Sequence, residues 1–189
     1  MRTLIFSSLL ALGVAAAAMA QEPSSQSDID PTAQDAMIDF GGPEEVVILT
    51  TDGTRHVIQA EIATTPAQKQ RGLMWRETVE PGTGMLFQYS PPESASMWMR
   101  NTLVDLDLVF IDSNGSVVKI IAFAQSESLR SLGSDATVAG VLELGAGQAI
   151  ALGLRPGDTV RHAIFGNETT PATVADDEAA AEEAPADAQ

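Results

Sequence analysis

LDLVFIDSNGSVVKIIAF, residues Leu106 to Phe123, places two runs of branched and aromatic side chains on either side of Asn114-Gly115. Such side chains suit a pleated, half-buried surface, and Asn-Gly adopts cheaply the positive φ that a two-residue hairpin turn requires. The stretch reads as an antiparallel hairpin. Upstream, VVILTTDGTRHVIQAEIA, Val46 to Ala63, repeats the design around Asp52-Gly53. Two such hairpins make the chain mainly β.

The pieces around them are short. Thr65 as N-cap, Pro66 at the first helical position, Gln68 completing a capping box and Gly72 as a left-handed stop predict a brief helix. GMLFQYS (Gly84 to Ser90) and SMWM (Ser96 to Met99) read as two further strands separated by a Pro91-Pro92 loop. GVLEL (Gly140 to Leu144) is another strand, and Ala146 to Leu152 a two-turn helix ended by Gly153. Arg155-Pro156-Gly157-Asp158 then forms a type II turn before the strand TVRHAIF, Thr159 to Phe165. The GLRPGDTV piece resembles the Gly-Asp box that links strands in small cradle-loop barrels. The expected fold is mainly β (α+β): a compact, closed or nearly closed barrel-like domain of seven or eight short strands with two short helices, because closure removes exposed edges.

Composition divides the chain further. Residues 1–20 carry one Arg, an apolar run from Leu4 to Ala18 and the small-x-small pattern Ala18-Met19-Ala20, which reads as a secretory signal peptide cleaved after Ala20. The mature chain is therefore expected to be periplasmic or secreted. It contains no Cys, so neither a disulfide nor an acylated Cys anchor is available. The formal net charge is −16, and the acids crowd the ends. Residues 21–45 and the Ala/Pro-rich residues 167–189 each hold seven acids and no Lys or Arg, and both are expected to be disordered acidic segments. What remains, 46–166, has a net charge of only −3 and the size of a single β-rich domain. No basic stripe exists to attract phosphates, so nucleic acid is not an expected partner, and no membrane association is expected after signal cleavage.

Three stretches carry a family resemblance: Glu61 to Tyr89, Met97 to Asp112, and Val141 to Val160. They resemble the domain of unknown function 192 family of bacteria and archaea. Its Arg-Gly-Leu-Met run is matched by Arg71, Gly72, Leu73 and Met74, with Arg76 following; its Gly-Met-Leu-Phe by Gly84 to Phe87; and its Trp-Met-Lys-Asn-Thr by Trp98, Met99, Arg100, Asn101 and Thr102. A Leu-Asp pair falls on Leu106 and Asp107, and a Leu-Glu pair on Leu142 and Glu143. Arg100 stands where Lys is usual and Asp105 where Pro is common. The resemblance implies a compact β-rich domain without an established activity.

Period-two alternation puts Asp105 and Asp107 on one strand face, where two carboxylates could bind a metal, act as acid and base, or cap loop amides and pair with Arg71, Arg76 or Arg100. Glu143 inside VLEL is expensive to bury unless it meets a cation, for which Arg71 is the candidate, or faces a pocket. Were Arg71, Trp98, Met99, Arg100, Asn101, Asp107 and Glu143 to converge, they would form a polar floor beneath an aromatic wall, suited to a small polar ligand. The chain has no Cys nucleophile, Gly-x-Ser-x-Gly elbow, phosphate-cradling loop or His pair at metal spacing. His56 and His162 read as surface or strand-filling residues. The expected function is a non-catalytic module binding a small polar ligand or a periplasmic protein, with no catalytic residue, resident metal or cofactor. Two alternatives stand beside it: a hydrolase built on Asp107 and Glu143, and a periplasmic Cu(I) protein using the thioethers of Met97 and Met99 with one His.

Overall fold

The computed structural model describes residues 30–168. The expected signal peptide, the start of the acidic linker and the tail from residue 169 lie outside the described residues. The elements in chain order are β1 Gly41–Leu49, β2 Arg55–Ala63, α1 Pro66–Arg71, β3 Thr83–Met97, β4 Leu106–Ile111, β5 Val117–Ala124, β6 Leu132–Gly145, α2 Gln148–Ala151 and β7 Thr159–Arg161, followed by a 3-10 turn at Ala163–Phe165. The strands form one sheet in the order β5-β4-β6-β3-β2-β1-β7. Only β2 and β3 run parallel, and α1 lies in the connection between them.

The sheet curls until its two edges meet. Val117 N donates to Asp158 O at 2.8 Å, Gly157 N to Val117 O at 2.8 Å and Val160 N to Gly115 O at 2.7 Å, and Ser116 bridges Thr159. The domain is thus a mainly β, nearly closed barrel with two short helices. The buried Asp158 secures the seam: its carboxylate accepts from Thr51 N (2.8 Å) in the first hairpin and from Arg155 N (2.6 Å) in its own turn. Gly157 takes φ 98°, as the expected type II turn demands.

Curling creates two apolar layers. Inside, Ile48, Ile58, Leu86, Val109, Ile111, Leu142 and Leu144 meet; on the outer face, Met85, Phe87, Met97, Met99, Leu106, Leu108 and Phe110 form a second cluster, with Leu73 packed against them. β4 feeds both layers, and all six of its residues are buried. Its near-continuous apolar run has that origin, whereas β1 and β2 alternate more visibly.

Several local expectations change. Both hairpin loops are longer than two residues: Gly53 N bonds Thr50 O and Gly115 N bonds Asp112 O, and of each Asp-Gly or Asn-Gly pair only the glycine has positive φ (89° and 85°). The Asp52 carboxylate accepts from Thr54 N and that of Asp112 from Asn114 N and Ser116 N, which favours a wider turn with a glycine bulge. The two strands expected around Pro91-Pro92 are one strand, β3. Its register against β6 shifts between Gln88 and Glu93, so the prolines sit in the irregular stretch, where no ladder amide is required. β6 begins at Leu132, well before GVLEL, and the strand count is seven.

α2 is one turn rather than two, because Gly147 is left-handed (φ 86°) and starts the helix late. β7 stops at Arg161: the His162 ring accepts from Ile164 N and turns the chain into the 3-10 segment. At the other end, β1 starts at Gly41, ahead of the boundary at Val46, since Gly41, Glu44 and Glu45 find partners on β2.

Gly115 and Gly53 provide a matched test of the seam. Both need positive φ, but a Cβ at Gly115 would lie 2.2 Å from Asn167 Nδ2 and 2.3 Å from Val160 O, whereas one at Gly53 would meet nothing within 4 Å. Urea titration of Gly53→Ala should show a loss of about 1 kcal/mol from backbone strain alone, and Gly115→Ala about 3 kcal/mol because β7 must also shift. Equal losses would mean that the seam contributes nothing.

Candidate functional site

The register of β4 against β6 sorts the two family carboxylates. Asp107 lies opposite Leu144 and Leu108 opposite Glu143. Partners in register share a face, so Asp107 belongs to the inner layer with Val109 and Ile111, and Glu143 to the outer layer with Met85 and Leu108. Asp107 and Glu143 therefore do not converge, and a hydrolytic pair built from them is not assembled.

Asp107 has other work. It is fully buried, and its two oxygens accept from Phe123 N (2.9 Å) and Ala149 N (2.8 Å). Gly147, the N-cap of α2, has no side chain to offer, and Asp107 serves in its place. Asp105 lies just before β4, is exposed, and accepts from Ser126 N at 2.7 Å. Both aspartates thus cap loop amides, and neither pairs with an arginine.

Glu143 is 4% exposed and has no hydrogen-bond or ion-pair partner among the described residues. Its carboxyl sits at the floor of a small cleft of about 20 Å³ lined by Lys69, Arg71, Gly72, Phe87, Trp98 and Thr102 among others. Burial pushes its pKa up to about 8, with the Arg76 charge pulling weakly the other way. At neutral pH it is mainly a protonated acid, able to donate as well as accept. The partner expected for it, Arg71, lines the same cleft but is committed elsewhere.

That commitment defines the larger site. Arg71 Nη1 donates to the carbonyls of Pro31 (3.2 Å) and Ala33, and Nη2 to Gln34 O (3.3 Å). Trp75 Nε1 and Asn101 Nδ2 both donate to Thr32 O, at 3.0 and 3.3 Å. Gln68 Nε2 reaches Asp39 O at 2.6 Å. The donors come from α1, the turn after it and the loop before β4, while every acceptor is a main-chain oxygen of the N-terminal segment 30–40.

The donor side is held under strain. Trp75 and Asn101 adopt φ 67° and 58°, uncommon for residues with a side chain, and Trp75 N bonds Asn101 O at 2.8 Å. Two left-handed residues locked to each other aim both donors at one point. Trp75, Gln68 and the segment itself were not legible as site residues. The only hint was Trp75's place between Met74 and Arg76 of the matched run.

The remaining candidates fall around this site. Trp98 is 42% exposed at the cleft's rim, with the Arg100 guanidinium 5.7 Å from its ring centroid. Met99 is fully buried and Met97 nearly so, both in the outer core; Met97 Sδ accepts from the Tyr89 hydroxyl at 3.3 Å. Neither histidine is placed beside them. His162 engages Glu44 and Ile164 N through its two ring nitrogens. His56 precedes Gln59, the residue level with the start of β3, whereas Met97 ends β3.

Two substitutions separate the carboxylates. Asp107→Ala leaves two buried amides without an acceptor and should cost about 3 kcal/mol in a denaturant titration, with Asp107→Asn, which keeps one acceptor oxygen, losing about half as much. For Glu143 the sign follows from its raised pKa. Between its ordinary value of 4.5 and about 8 the folded carboxyl keeps a proton that the unfolded chain has lost, so stability falls as pH rises across that window and levels off above it. Glu143→Gln should flatten the stability profile between pH 5 and 8. The lowered pKa of Asp52, about 2, acts at lower pH and stays outside this measurement.

Residues 47–162 match the family model for domain of unknown function 192, described as Uncharacterized ACR. A candidate transcription regulator from Sinorhizobium meliloti 1021 is 36% identical, with a TM-score of 0.66 over 68% of this chain and 99% of that one. A protein of unknown function from Novosphingobium aromaticivorans DSM 12444 is 35% identical, with a TM-score of 0.62 over 69% of this chain and 97% of its own. No curated protein matches the chain. By this match over most of the barrel, and by two solved relatives above 30% identity, the chain belongs to the domain of unknown function 192 family.

Proposed function

We propose that the chain is an exported, non-catalytic binding module whose site is the donor surface of Arg71, Trp75 and Asn101, and whose ligand presents carbonyl or carboxylate oxygens. The observation that carries this reading is the convergence of those three side chains on main-chain oxygens, with the Asn101 amide also within 3.8 Å of Met74 Sδ. Arg supplies a planar fork, and the indole and amide N–H groups add two directional donors; such a set orients an acceptor without transforming it. A hydrolase would need a nucleophile or two carboxylates at one bond, and Asp107 faces away with both oxygens engaged. Export rests on the signal-like residues 1–20 and suits a chain without Cys. The description of one relative as a regulator is not extended to nucleic-acid binding here, because an acidic chain without a basic stripe repels phosphates.

The test uses the full chain carrying Asp30→Gly and Thr32→Arg, which undo the turn seated on the donors. Acetate and N-acetyl-alaninamide, added to millimolar concentration, should shift the Trp75 indole N–H resonance. Adding Arg71→Ala should weaken that binding about tenfold, the loss of one charged hydrogen bond. An unmoved Trp75 signal, or binding indifferent to Arg71, would overturn the reading. So would hydrolytic turnover that Asp107→Asn abolishes.

A further inference from the structure

Resting on that reading, the geometry points to a narrower ligand class: the site is a receptor for the main chain of an acidic, turn-forming peptide, and residues 30–39 are its tethered occupant. The segment is bound as a peptide and not as a set of side chains. Carbonyls of Pro31, Thr32, Ala33, Gln34 and Asp39 receive the side-chain N–H bonds that Gln68, Arg71, Trp75 and Asn101 direct at the segment. Of its side chains only Thr32 is buried, and Met37 is 89% exposed. Within 30–39 apolar burial therefore adds little, Phe40 packing against the outer layer just beyond it, and what holds the segment is a backbone pattern that another peptide can present.

The turn is shaped internally. Thr32 N and Oγ1 bond Asp30 Oδ1 at 2.9 and 2.7 Å, and Ala33 N bonds Asp30 O at 3.1 Å, which directs the following carbonyls toward Arg71. Charge adds to this: Asp30, which feels the Arg100 charge, lies on the occupant with Asp35 and Asp39, and Arg71 and Arg100 lie on the receptor side, where Arg76 is paired with Glu61 at 2.5 Å.

Two observations accord with a binding site and its occupant. The donors lie within residues 47–162, the stretch that matches the family model, and the segment precedes it. An open cleft of about 560 Å³ lies between the segment, from Gln34 to Phe40, and the domain residues Glu61, Met74, Trp75 and Arg76. That is room for side chains larger than those the segment offers.

A short tether gives an occupant an effective concentration of the order of millimolar, so a free peptide must compete with it. The experiment is calorimetric titration of the synthetic peptide DPTAQDAMIDF, residues 30–40, into the full chain and into the full chain with Asp30→Gly and Thr32→Arg. The released variant should bind the peptide at least tenfold more tightly than the parent, and adding Arg71→Ala should abolish the difference. Asp30→Ala alone, which leaves Thr32 in place, should give an intermediate affinity and guards against a misfolded double variant. Equal affinity in parent and released variant would overturn the inference, as would a variant dimer that excess peptide fails to dissociate. A released variant that binds acetate and N-acetyl-alaninamide but not the peptide would remove the peptide inference and leave the binding reading intact. A folded variant that binds none of the three would remove both.

Discussion

The register of β4 on β6 is the constraint from which the rest of this domain follows. Both strands lie inside the curled sheet, and β4 from 106 to 111 and β6 from 138 to 144 are buried throughout, so a polar group placed there is taken out of water. One register step separates the two carboxylates of the family pattern onto opposite faces, and their fates differ accordingly. Asp107 is satisfied by two amides and organises α2 and β5. Glu143 meets no donor, keeps its proton, and faces the one side of the sheet where α1 and the loop before β4 leave a cleft. A carboxyl kept neutral by burial is a costly feature for a core and a useful one for a site.

Closure of the barrel depends on similarly economical contacts. The edges touch over only a few residues, through the hairpin at Gly115 and the turn at Asp158. Asp158 resembles Asp107 in method: a buried carboxylate takes two amides from segments distant in sequence and holds them together. The domain has no disulfide available, and in their place carboxylate-to-amide bonds tie loops to the sheet.

In the outer layer a packed wall adjoins the proposed recognition surface. Met97 and Met99 fill space beneath the loop that presents Trp98, Arg100 and Asn101, and that filling fixes where Asn101 points. The left-handed backbone at Trp75 and Asn101 stores strain of order 1 kcal/mol or more per residue, offset by the apolar packing around Leu73 and Met99. Strain held by a core and aimed at a shared acceptor is the structural signature of preorganisation.

Sequence alone determined what local chemistry can encode. The capping box of α1, the positive-φ glycines, the Arg155–Asp158 turn and the β-rich runs each depend on residues close in the chain, and each is found. The matched run around Arg71 and the loop Trp98–Thr102 lie beside the candidate site. What sequence could not settle depends on pairing between distant strands. Alternation along one strand tells which residues share a face, but not which face of another strand they meet, so Asp107 and Glu143 could be grouped on paper and are parted by the sheet. The joining of two strand runs across Pro91-Pro92 needed β6 as a template. The partners of Arg71 are backbone carbonyls, which every residue owns and no composition reveals; only the tertiary path of residues 30–40 brings them to it.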